Sequence, residues 1–99
     1  MPKVILQISY EVKPDMREQY LALAAEMRVH FAKDRGKNYS MFEVKGKKNA
    51  FVEQFVCASV EEYETLEDNM TESSEALVDR LEGVVKEGTT RYTTLIELE

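Results

Sequence analysis

The stretch NYSMFEVKGKKNAFVEQFVCAS, residues 38–59, reads as two strands joined by a tight loop and running straight into the start of a helix. Residues 39–45 and 50–58 are rich in aromatic and β-branched side chains, and Gly46-Lys47-Lys48-Asn49 between them carries turn chemistry. The second strand is apolar on both faces. Phe51, Phe55 and Cys57 alternate with Val52, Val56 and Ala58, leaving Glu53 and Gln54 as the polar pair in its middle. A strand of that kind needs cover on both sides, which makes this hairpin the centre of the fold.

Outward toward the N-terminus, Val4, Leu6, Ile8, Tyr10 and Val12 alternate with Gln7, Ser9 and Glu11, a strand with one apolar face. Pro14 stops it. Asp15 with Glu18 three residues later has capping-box spacing, and Met16, Tyr20, Leu23, Ala24, Met27 and Phe31 then fall on one helical stripe that ends at Gly36. Toward the C-terminus, Ser59 with Glu62 predicts a second capped helix bearing Val60, Tyr63, Leu66 and Met70. Residues 69–74 favour caps and turns, so a break is expected there. Ala76, Leu77, Leu81, Val84 and Val85 form a further amphipathic segment closing at Gly88, and residues 91–98 read as a last strand.

The order strand, helix, strand, strand, helix, strand predicts a single α+β domain over residues 1–99, ferredoxin-like (βαββαβ). Its four-stranded antiparallel sheet would carry both helices on one face. Such helices leave the other face bare, and with both sides of residues 51–58 apolar a second copy of the chain is the economical cover. A homodimer packed through the sheet face is therefore expected.

Thirteen basic and 19 acidic residues give a net charge of -6, which argues against nucleic acid. No apolar run is long enough to span a membrane, and residues 1–9 lack a signal-peptide core, so a cytoplasmic protein is expected. A lone Cys57 excludes an internal disulfide, and with His30 the only histidine no metal site is expected. Charge is uneven: residues 33–48 sum to +4 and residues 59–90 to -8. The acidic helices read most simply as a solvated face.

The element order, the Val12-Lys13-Pro14-Asp15 turn and the junction from Phe51 to the capped helix at Ser59 and Glu62 resemble the dimeric α/β barrel superfamily, nearest to the antibiotic-biosynthesis-monooxygenase-like proteins. That resemblance covers nearly the whole chain. It implies homodimers with a barrel-like interface and a small cavity between sheet and helices. The activities it implies include cofactor-independent oxidation of quinols and oxidative haem breakdown. Alternate residues of the third strand, here Glu53, Phe55 and Cys57, would line the cavity. Where such relatives often end that strand in tryptophan, this chain has Cys57. Where haem-degrading relatives carry a histidine, residues 71–77 have serines, so haem is not implied.

His30 and Glu53 are the candidate catalytic groups, a proton shuttle and a general base, while Phe55, Cys57 and Tyr63 are candidate ligand contacts. The competing readings are a boundary histidine, a lone polar residue in a core, and inert packing for Cys57. One hairpin register sets Glu43 opposite Glu53, which would couple their titrations. Another sets Phe42 opposite Glu53 and Glu43 opposite Val52. Two functions follow: a cofactor-independent monooxygenase acting on a quinol or similar aromatic, or a noncatalytic module of the same fold that binds a small apolar molecule.

Overall fold

The alternating N-terminal stretch forms strand β1 (Val4–Glu11), whose Val4 and Tyr10 are buried beneath the helices. The computed structural model describes residues 2–66 and 71–98. Pro14–Met16 make a single 3-10 turn, opened by a bond from Met16 N–H to Lys13 O at 2.9 Å, and helix α1 (Arg17–Arg28) continues from it. The expected capping box at Asp15 and Glu18 is not made. Proline takes the first position of that turn, so Asp15 lies inside it and no side chain caps either start.

Tyr20, Leu23, Ala24 and Met27 are the buried stripe of α1, and Phe31 extends it through a π-helical segment, Val29–Asp34. Gly36, at φ +64, closes the segment, with Lys37 N–H bonded to Phe31 O at 2.9 Å. Strands β2 (Asn38–Glu43) and β3 (Ala50–Cys57) follow as the hairpin.

The hairpin adopts neither register weighed from sequence. Met41 stands opposite Glu53, Phe42 opposite Val52 and Glu43 opposite Phe51. A loop over residues 44–49, with Gly46 and Asn49 at positive φ, sets this pairing. It keeps the two carboxylates apart: Glu43 is held by both Nη atoms of Arg17, at 2.6 and 2.9 Å, and Glu53 turns into the core. The Arg17 guanidinium holds the Glu43 carboxyl down at about 2.

Ser59 caps helix α2 (Val60–Glu64) as expected, its Oγ accepting from Glu62 N–H at 3.2 Å. The reciprocal bond differs, since Glu62 Oε2 accepts from Ala58 N–H. This helix is a short turn with no buried residue, and Val60 is exposed rather than part of a covered stripe. The expected stripe residue Met70 lies outside the described residues. Thr71 caps helix α3 (Glu72–Val84).

Helix α3 stops at Val84, four residues before Gly88. Val85 turns extended and bridges Val12, fixed by bonds from Lys13 N–H to Val84 O and from Lys86 N–H to Glu11 O. Gly88, at φ +80, serves the following turn instead.

Strand β4 (Arg91–Ile96) completes an antiparallel sheet of order β2-β3-β1-β4, the ferredoxin-like arrangement. Its position decides the shape of the molecule. Helix α3 packs on α1 rather than over β4, and all six residues of β4 are exposed, Tyr92 and Ile96 among them. The layer between helices and sheet is consequently closed over β2 and β3 and open along β4. Among the described residues no helix is long and apolar enough to cross a membrane.

Candidate functional site

Side chains of one parity point from the sheet toward the helices: Leu6, Ile8 and Tyr10 from β1, Glu53 and Phe55 from β3, Tyr92 and Thr94 from β4. They face Met27 and Phe31 of the first helical segment and Leu81 of α3 around a cavity of about 1070 Å³. That volume sits at the upper end of ordinary small-molecule sites.

Glu53 is the chemical centre. It lies between Ile8 and Met41 on neighbouring strands, is 3% exposed, and lines the cavity. Tyr39 Oη donates to its Oε1 at 2.6 Å. Burial raises the Glu53 pKa, while the hydroxyls of Tyr39 and Tyr10 act in the opposite direction by favouring the carboxylate. The tyrosines respond in turn. Burial and the nearby carboxyl push Tyr39 and Tyr10 well above the ordinary phenol range, and Tyr20, bonded to Tyr10 at 2.9 Å, rises to about 12. Phe31, Tyr39 and Phe55 form an aromatic wall beside the carboxyl, with ring centroids 4.7 to 5.6 Å apart.

Of the side chains singled out from sequence, Glu53, Phe55 and Tyr63 line this one cavity. Tyr63 reaches across from α2 to Thr94 of β4 at 3.0 Å, so it bridges the open side. Cys57 is buried at the end of β3, outside the cavity lining. Burial and the Glu62 carboxylate push its thiol up to about 11, which leaves it a packed, unreactive group at neutral pH.

His30 is also outside. It lies one residue before the cavity-lining Phe31, and its Nε2 meets Ser74 Oγ at 2.6 Å. Ser74 is fully buried, contacts Thr71 Oγ1 at 3.1 Å and accepts from Arg35 Nη1 at 3.2 Å. The Ser74 hydroxyl thus meets Arg35, His30 and Thr71 at once, which satisfies its one donor and two acceptor sites. This knot ties α3 to the end of the first helical segment. Ser74→Ala is expected to cost about 1–3 kcal/mol, since it strands buried polar partners, whereas the same change at its exposed neighbour Ser73 should leave the denaturant midpoint nearly unmoved.

Sequence reasoning missed Ser74, Arg35 and the pairing of Tyr39 with Glu53. The Thr71-to-Ser74 spacing, a cap three residues from a small polar side chain, was the one signal available for the first. Among the described residues no group of three or more His, Cys, Asp or Glu side chains could hold a metal ion.

A four-stranded sheet of order β2-β3-β1-β4 roofed by helices, with a buried carboxyl facing an aromatic cavity, places the chain in the ferredoxin-like class of α+β folds. Its fold is that of the antibiotic-biosynthesis-monooxygenase-like proteins. A proposed antibiotic biosynthesis monooxygenase from Deinococcus radiodurans superposes with a TM-score of 0.76 at 13% identity, over 97% of this chain and 93% of that one. SnoaB of Streptomyces nogalater, a cofactor-independent oxygenase solved as a point mutant, gives 0.71 at 14% identity, over 94% and 90%. A conserved protein of Methanosarcina mazei Go1 gives 0.79 at 10% identity, over 96% and 92%. No family model matches the sequence, and no curated protein does.

Proposed function

We propose that the chain is a cofactor-independent monooxygenase for a quinol or similar hydroxylated aromatic, with Glu53 as the general base. One observation carries this reading: a buried carboxyl of raised pKa lines a large aromatic cavity open along one side. Such a group can take the proton of a phenol held against Phe55 and Phe31, and the electron-rich phenolate is what reacts with dioxygen. One oxygen atom then bonds to a ring carbon, and the second leaves as water with the hydrogen of that carbon and the phenolic proton, giving a quinone. Similarity in fold to SnoaB supports the reaction class and says nothing of the substrate.

A second reading is favoured by the bond from Tyr39, which occupies one carboxylate oxygen of Glu53. On that reading the cavity only binds, and the tyrosine and the carboxyl are a structural pair. Dioxygen uptake with a panel of quinols and no added cofactor separates the two. Uptake with one labelled oxygen atom in the product supports the enzyme. Saturable binding of the same compounds without uptake supports the module.

The working form on either reading is a homodimer through the open face of the sheet. That face carries the apolar Val56, Ile5 and Leu95 at one end and Phe42 and Val52 at the other, on either side of a polar row Ser40, Gln54, Gln7 and Thr93 that includes a Gln7–Gln54 hydrogen bond of 3.1 Å. Sedimentation at micromolar concentration is expected to return the mass of two chains, and Val52→Glu, which places a charge on that face beside Phe42, the mass of one.

A further inference from the structure

The cavity is charged unevenly along its length. Lys13 and Lys86 line it near Glu11, where β1 leaves the sheet, while Arg35 and Lys37 line it at the opposite end, just before Asn38 and its partner Val56. The two ends differ in burial. Lys13 and Lys86 are exposed, as are the lining carboxylates Glu82 and Glu87, whereas Arg35 and Lys37 are half-buried, with the exposed Glu64 of α2 on their side of the cavity.

Neither Arg35 nor Lys37 has a carboxylate within ion-pair distance among the described residues. Arg35 is nevertheless held in place, its Nη1 bonded to the fully buried Ser74. A half-desolvated, anchored guanidinium that lines the cavity together with a half-buried ammonium, neither in an ion pair among those residues, favours an anion from outside. The spacing suits one molecule. Continuing the register, Lys37 stands level with Cys57, four residues along β3 from Glu53, and four residues of strand span roughly 13 Å. Phe31 and Phe55 lie between the two points.

We infer that the cavity takes a fused or linked aromatic carrying an acidic substituent, of the carboxylate or sulfonate kind, with the anion seated on Arg35 and Lys37 and the ring system reaching toward Glu53. This rests on the reading of the cavity as a ligand site. It names the substrate class within that reading and makes Arg35 and Lys37 the residues that select it.

Two fluorescent probes of nearly one skeleton test it: anilinonaphthalene sulfonate, an anion, and phenylnaphthylamine, which is neutral. The sulfonate is expected to bind about tenfold more tightly, with the preference shrinking as salt rises. Lys37→Gln, a change at a half-buried lining position, should abolish most of the preference and leave the neutral probe's Kd unchanged. Arg35→Gln should do the same, and Lys86→Gln should do neither. Equal affinities for the two probes, or a loss at Lys86→Gln matching that at Lys37→Gln, would overturn the anion site while leaving the cavity a ligand site. If neither probe binds, both readings fall.

Discussion

Glu53→Gln is expected to lower kcat for quinol oxidation by about 10²–10⁴-fold, the usual contribution of a positioned general base, and at the same time to raise thermal stability at alkaline pH. Both effects come from one cause. Burial among aromatic rings lifts the folded-state pKa of Glu53 above its ordinary value of 4.5, so the native state holds that proton more tightly than the unfolded chain does. The stability gained from this is complete below the unfolded pKa and is lost as pH rises through the folded one.

Glutamine has the same shape, accepts the bond from Tyr39 and has no proton to lose. The difference in Tm between variant and native protein should therefore grow in the variant's favour from acid to alkaline pH. Glu43, held at about 2 by Arg17, is common to both proteins and cancels from the comparison. Dioxygen uptake reads the effect on turnover, and scanning calorimetry across the pH range the effect on stability. A variant less stable at every pH would place the Glu53 carboxylate in favourable pairing rather than in an unfavourable burial. Unchanged turnover would remove it from the chemistry.

The second large effect is in the roof. Leu23 is 1% exposed on α1, among Tyr10, Tyr20, Met27 and Phe51 in the main core. Leu23→Ala is expected to cost about 2–5 kcal/mol, combining lost transfer energy with the void left behind. That corresponds to a fall in Tm of roughly 10–25 °C for a domain of this size. Leu21, two residues earlier on the same helix, is 45% exposed. Its alanine variant should stay within about 0.5 kcal/mol of the native protein. Chemical denaturation of the pair checks that the stripe, rather than helix propensity, holds α1 to the sheet, because the propensity change is the same in both.

The sites most at odds with the sequence patterns are local. At Pro14 an acidic residue with a glutamate three further on looked like a cap, but the proline had already opened the turn one position earlier. At Gly88 a left-handed glycine looked like a helix end, but the Val12–Val85 bridge drew the chain out of the helix at Val84. In both cases a tertiary or backbone contact outweighed a pattern worth only about 1 kcal/mol.

The element order, the ferredoxin-like topology and the helix-facing parity of β1 and α1 were determined by the sequence itself, because alternation by two and by three-to-four leaves a chain few ways to hide its apolar faces. The hairpin register was decided by the loop geometry of residues 44–49, which no periodicity encodes, and with it the separation of Glu43 from Glu53. Tertiary structure alone brought Ser74 to His30 and Arg35, 44 and 39 residues away in the chain, and alone left β4 uncovered so that the cavity opens along it. Contacts between distant segments depend on how whole elements pack, and packing is set by every side chain in the interface together rather than by any motif within one of them.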